Sequence, residues 1–225
     1  MTNTDNPDAY EAHLLSRGSP ANVFLGQPIL TDQITREGLQ VVWCRLEHVL
    51  QQGIPGHIVE LGCYAGTTSL FIRRQLDHYK QSAHREFHVY DSFEGLPEKS
   101  QQDASAAGVD FMAGKLQVNK RQFIKNFQSA SLQLPVIHKC WFDNLTGADV
   151  PAAIAFAFLD GDFYGSILTS LKLVWPHVSQ GGAVLIDDYQ RESLPGVERA
   201  VRDFFQDKPM PAIQASHNIA VLIKP

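Results

Sequence analysis

Two apolar runs that each end in a pair of carboxylates constrain this chain more than anything else in it. Residues 154–166 read I-A-F-A-F-L-D-G-D-F-Y-G-S, and residues 183–189 repeat the pattern as A-V-L-I-D-D-Y. A short continuous apolar run bounded by turn signals fits a strand buried on both faces, as in a parallel sheet. If the two runs are neighbours, their ends lie roughly 4.8 Å apart. Asp160, Asp162, Asp187 and Asp188 then converge at one sheet edge. Like charges so close raise the cost of ionising each group unless a positive charge sits among them. A polar turn after one strand and a helix cap after the other is the blander reading of either pair alone; the recurrence points to a functional cluster.

The rest of the chain supports a globular α/β reading. Its 225 residues are 44% apolar and 19% charged, enough for one sizeable core. A formal charge of −5 is unlike a protein whose main task is to bind a phosphate backbone, so a small-molecule partner is expected and nucleic acid is not. Cys44, Cys63 and Cys140 are odd in number and form no C-x-x-C, which supports neither a disulfide framework nor a zinc knuckle and suits a reducing cytoplasm. The first twenty residues are polar, unlike a signal peptide, and no run of about 18 apolar residues suggests a membrane span.

Taken in order, residues 1–30 form an N-terminal arm or lid with a short helical candidate at 9–16, followed by a single domain over 31–225. Helical spacing runs from Thr31, a plausible cap, to Gln52. A strand at 57–61 enters G-C-Y-A-G-T-T and then a helix at 69–79. Strand, Gly-rich turn and helix is the context in which a nucleotide loop has meaning, although E-x-G-x-x-x-G is not the dinucleotide fingerprint G-x-G-x-x-G. Glu60 at that strand end would attract a cation such as an amino-acid ammonium. The next strand, 86–90, ends at Asp91, where an acid commonly accepts from ribose hydroxyls; a turn cap by Asp91 or Ser92 is the alternative. The polar stretch from 98 to Gly108 reads as a mobile loop. A helix over 116–127 and a strand over 135–139 lead to Trp141 and Phe142, which fit either a platform for a flat ring or plain core. A helix over 164–175, a turn at Gly181 and Gly182, a helix over 196–205 and a hairpin at 212–215 and 219–223 complete the chain. The order spells a doubly wound, Rossmann-like sheet of about seven strands with a terminal antiparallel hairpin.

V-E-L-G-C-Y-A-G-T at 59–67 resembles motif I of the class I methyltransferases that use S-adenosylmethionine. Y-D-S-F-E-G-L-P at 90–97, L-D-G-D-F-Y at 159–164 and I-D-D-Y at 186–189 resemble, more narrowly, the macrocin O-methyltransferase family, which methylates sugar hydroxyls of antibiotics. The resemblance implies S-adenosylmethionine held by Glu60, Gly62 and Asp91; Tyr64, Gly66, Thr67, Ser92, Trp141, Phe142 and Asp160 complete the expected cofactor-binding set. It implies a divalent metal on Asp160, Asp187 and Asp188, with Asp162 as general base. Oxygen-only ligands favour a hard ion: Mg2+, or Mn2+ or Ca2+ in the same place. The expected activity is metal-dependent O-methylation of a small-molecule hydroxyl in natural product biosynthesis, by a homodimer or larger assembly. Two departures lie on the acceptor side. Tyr164-Gly165-Ser166 stands where the family commonly has Tyr-Glu-Ser, and His217-Asn218-Ile219-Ala220 replaces an aromatic and basic C-terminus. His217 is thus an acceptor-side candidate, although a surface histidine is its more ordinary reading. Two other functions compete: a catalytically silent S-adenosylmethionine-binding protein, and a nucleotide-dependent oxidoreductase, which the Gly spacing disfavours.

Overall fold

The computed structural model of the protein describes residues 26–225. The helix expected at 9–16, and nearly all of the arm expected at 1–30, lie outside the described residues. Seven strands form one sheet: β1 (His57–Leu61), β2 (Phe87–Asp91), β3 (Val136–Lys139), β4 (Ile154–Leu159), β5 (Val178–Ile186), β6 (Ile213–Ser216) and β7 (Ile219–Ile223). Their order is β3-β2-β1-β4-β5-β7-β6. The first five are parallel, and the terminal hairpin joins through β7, which runs antiparallel to β5.

Among the described residues, five α-helices cover the sheet: α1 (Arg36–Gln51), α2 (Thr67–His78), α3 (Lys120–Ser129), α4 (Tyr164–Val174) and α5 (Gly196–Phe204). Period-two alternation divides the core between the faces. Along β4, Phe156 and Phe158 pack with α1 and α2, while Ala157 and Leu159 pack with α4 and α5. All six β4 side chains are buried, which is why this strand reads as an unbroken apolar run.

Three boundaries differ from the sequence expectation by four residues or more. Helix α1 starts at Arg36 because Thr35, not Thr31, supplies the cap, accepting from Gly38 N–H at 3.0 Å. Asn119 caps α3, and Leu116, expected inside that helix, has a left-handed backbone. Gly181 and Gly182 lie inside β5 rather than in a turn before it. Phe156 pairs with Ala183 while Ile154 pairs with Val178, so the glycines absorb a bulge.

Candidate active site

The chain runs outward from β1 through β2 to β3 and then crosses back to lay β4 beside β1. Between β1 and β4 the winding reverses, which opens a crevice beyond the carboxyl ends of the strands. Backbone bonds carry the ladder a step past the strands into that crevice: Asp160 N–H donates to Leu61 O at 2.8 Å, and Asp187 N–H to Leu159 O at 2.9 Å. The two acidic strand ends are therefore in register side by side, as the repeated pattern suggested.

A cavity of about 870 Å³, counted to its open mouth, occupies this place. Of the residues expected to bind a cofactor, Gly62, Tyr64, Asp91, Ser92, Trp141, Phe142 and Asp160 line it. Gly62 has φ 90°, and a Cβ there would stand 1.8 Å from Asp160 O, so no side chain fits where the two strand ends meet. Asp91 takes the capping role considered for it. One carboxylate oxygen accepts from Cys63 N–H at 2.8 Å and Tyr64 N–H at 3.0 Å, the other from Phe93 N–H at 2.7 Å, and the carboxylate still borders the cavity. Ser92 likewise caps its own turn, accepting from Glu94 N–H at 3.1 Å.

Three expected contacts lie elsewhere. Glu60 alternates to the same face as Ile58, beneath the first turn of α2, where it is 1% exposed and accepts from the Ser69 hydroxyl. Burial, opposed by the Ser69 bond and aided by Asp91, pushes its carboxyl up to about 8. It is absent from the cavity lining, and an ammonium there would not meet it directly. Gly66 caps α2 with φ 90° against the Phe123 ring, and Thr67 reaches Thr31 Oγ1 at 3.3 Å. Both hold the helix rather than face the cavity. His217 is exposed in the two-residue β6–β7 turn, where it and Asn218 take φ 50° and 61°; it does not line the cavity either.

The four carboxylates are the electrostatic centre. One ligand atom each from Asp160, Asp187 and Asp188 lies within 4.8 Å of the others. Asp187 and Asp188 are buried, Asp160 is partly exposed, and Asp162 lines the same cavity. Burial first, then the neighbouring carboxylates, pushes Asp160 and Asp187 well above the usual range, and burial with Asp188 pushes Asp162 up to about 8. Asp162 and Asp188 hold left-handed φ of 58° and 56°, a strain that persists where the surroundings over-determine it. A compact, all-oxygen, charge-frustrated set of this kind fits a hard divalent cation.

Sequence reasoning missed Arg191, Gln33, Cys140, Leu96 and Leu116, all of which line the cavity. Only Arg191 left a signal, a cation three residues after Asp188. The 98–108 segment, expected to be mobile, is pinned instead. Asp103 is 2% exposed and accepts from Tyr164 N–H at 2.7 Å, capping α4 just after D-G-D. Its other oxygen accepts from Ser100 N–H and hydroxyl, and Ser105 donates to Glu192 O at 2.8 Å.

Solved methyltransferases share this architecture. The O-methyltransferase NovP superposes with a TM-score of 0.72 at 24% identity, over 84% of this chain and 80% of its own. The calicheamicin methyltransferase CalS11 gives 0.66 at 18% identity, over 97% and 93%. The chain belongs to the macrocin O-methyltransferase (TylF) family, whose profile matches residues 28–220. Among characterised relatives, the 8-demethyl-8-(2,3-dimethoxy-alpha-L-rhamnosyl)-tetracenomycin-C 4'-O-methyltransferase of Streptomyces olivaceus is 35% identical over 166 residues, 71% of this chain and 61% of that protein. The demethyldecarbamoylnovobiocin O-methyltransferase of Streptomyces niveus is 30% identical over 64% and 56% of the respective chains. The mycinamicin III 3''-O-methyltransferase of Micromonospora griseorubida is 27% identical over 71% and 64%. The matches thus span 56–64% of these relatives' length.

Proposed function

We propose that this protein is an S-adenosylmethionine-dependent O-methyltransferase that uses a divalent cation, with Mg2+ as the expected ion, to methylate a hydroxyl on the sugar of a natural product. The observation that carries this reading is the position of Asp162, in a cavity at the winding reversal and beside three carboxylates that fit a cation. The names of the three relatives suggest the acceptor class: each is an O-methyltransferase, two act at primed positions, and one of those two acts on a rhamnosyl-bearing compound.

The donor fits the crevice because Gly62 removes the side chain at the strand junction, while Trp141, Phe142 and Leu96 offer apolar walls and Asp91 an acceptor. Asp160, Asp187 and Asp188 would hold the metal. When bound, it supplies positive charge that eases ionisation of an alcohol near it. Asp162 takes the hydroxyl proton on its carboxylate, which needs only hydrogen-bond reach to that hydroxyl. In the balance, the acceptor oxygen bonds to the methyl carbon, the carbon–sulfur bond breaks, and its electron pair leaves with S-adenosylhomocysteine. The fixed walls hold the acceptor oxygen in line, a large part of what such a displacement requires. This reading places the enzyme in a reducing cytoplasm, in keeping with three free cysteines, and as a homodimer or larger. No described helix is long and apolar enough to cross a membrane.

The test is methyl transfer from labelled S-adenosylmethionine to a panel of glycosylated natural products with free sugar hydroxyls, with magnesium and with chelator. Product that forms with magnesium and is lost with chelator is expected. Full turnover in chelator removes the metal, and failure of every glycoside alongside success of an aglycone alcohol removes the sugar.

A further inference from the structure

Arg191 is the one cationic side chain among the described residues that line the cavity, set against Asp91, Asp143, Asp160, Asp162 and Asp188. Its Nη1 lies 2.5 Å from Asp188 Oδ1. The pair is built into the turn: Asp188 and Gln190 both have left-handed φ, and Arg191 N–H donates back to Asp188 O at 3.2 Å. A second resting place adjoins the first. The guanidinium carbon sits 5.4 Å from the centre of the Phe111 ring, which belongs to the segment pinned by Asp103. The side chain is 38% exposed, so it has room to move along that ring without leaving the cavity.

We propose that Arg191 is an internal counter-ion that occupies Asp188 until a divalent cation displaces it, which makes it a positioning residue that sets how readily the metal is taken up. The inference rests on the metal reading above. One guanidinium bonded to a single carboxylate relieves Asp187 only in part and leaves Asp160 unrelieved, whereas a doubly charged ion within reach of all three relieves each. Arg191 therefore keeps the metal-free cluster tolerable while being the weaker competitor for it. Displaced, its guanidinium stays over Phe111, at the rim of the cavity.

The test is magnesium titration by calorimetry into the S-adenosylhomocysteine-loaded wild type, Arg191→Gln and Arg191→Lys, with thermal melting of the metal-free proteins alongside. Arg191→Gln is expected to bind magnesium about tenfold more tightly, the scale of one charge-assisted hydrogen bond no longer broken on binding. The same variant is expected to melt lower without metal and to recover with it, while Arg191→Lys falls between. Unchanged or weaker magnesium affinity in Arg191→Gln, with the wild type binding normally, overturns the proposal; it would mean that Arg191 and the metal take different oxygens. No binding by the wild type overturns the metal reading itself, and this inference with it. If the glutamine variant does not fold, the guanidinium nitrogen resonance of Arg191 in the wild type decides: a shift on adding magnesium supports displacement, and no shift during saturable binding refutes it.

Discussion

At the scale of single residues, the acids were legible because each ends an apolar run, and parallel pairing then leaves them little freedom of place. Asp162→Asn keeps the shape and removes the base. Turnover is expected to fall at least about a hundredfold, the lower end for general-base loss, with S-adenosylhomocysteine affinity within a few-fold by calorimetry. An unchanged rate would strip Asp162 of that role. Glu60 was harder to read, since its neighbourhood in sequence is the glycine turn while strand alternation sends its side chain under α2. Its carboxyl, near 4.5 unfolded and about 8 folded, favours the native state while protonated. That contribution is whole below about 4.5 and is lost as pH rises through 8. Glu60→Gln should therefore melt higher than the wild type at pH 8.5, the gap closing toward pH 5; equal melting curves at both would show that Glu60 is not held protonated. Gln33 was not legible as a site residue, because its reach depends on how an irregular segment folds back over the strand ends, and Arg191 left only the local signal of a cation three residues after Asp188.

Among the elements, strands and helices followed from periodicity, whereas the long polar segment did not. Residues 98–115 lack an apolar pattern, and what fixes them is a set of hydrogen bonds to α4 and the α4–α5 region that no local spacing announces. Asp103 is the centre of that set, and Gly196 at the start of α5 shows how close the fit is: a Cβ there would lie 1.9 Å from Asp103 Oδ1. Asp103→Ala removes the cap on α4 and leaves half-buried donors of Ser100 and Tyr164 unpaired. A cap is worth roughly 1–2 kcal/mol, and a domain of this size shifts by about 2–4 °C per kcal/mol, so a melting temperature lower by several degrees is expected. Because α4 begins two residues after Asp162, turnover should fall as well, and a variant with unchanged melting and turnover would mean the segment is not a structural wall. The glycines of β5 misled for a related reason: Gly-Gly signals a turn locally, but here it serves a bulge that only pairing with β4 reveals.

Across the whole molecule, five parallel strands and a winding reversal bring four carboxylates together just past the ends of β4 and β5, three of them lining the cavity and Asp187 buried beside it, and the protein carries their repulsion in its core. Without metal, Asp160, Asp162 and Asp187 all hold protons above their usual range near 3.8. Native protons that the unfolded chain has already released mean that metal-free stability falls as pH rises from about 4 toward 9. A cation binds the ionised set, so magnesium should expel protons and its stabilising effect should grow with pH over that range. Thermal melting with and without magnesium from pH 6 to 9 checks the trend, and a magnesium effect independent of pH would contradict it. The chemistry of the site depends on whether these carboxylates hold a cation at all. Calorimetric titration of magnesium into the S-adenosylhomocysteine-loaded protein, in wild type and in Asp187→Asn, measures that directly. Saturable one-to-one binding in the wild type that is lost in the variant is expected; absence of binding in the wild type, or equal binding in both, would contradict it.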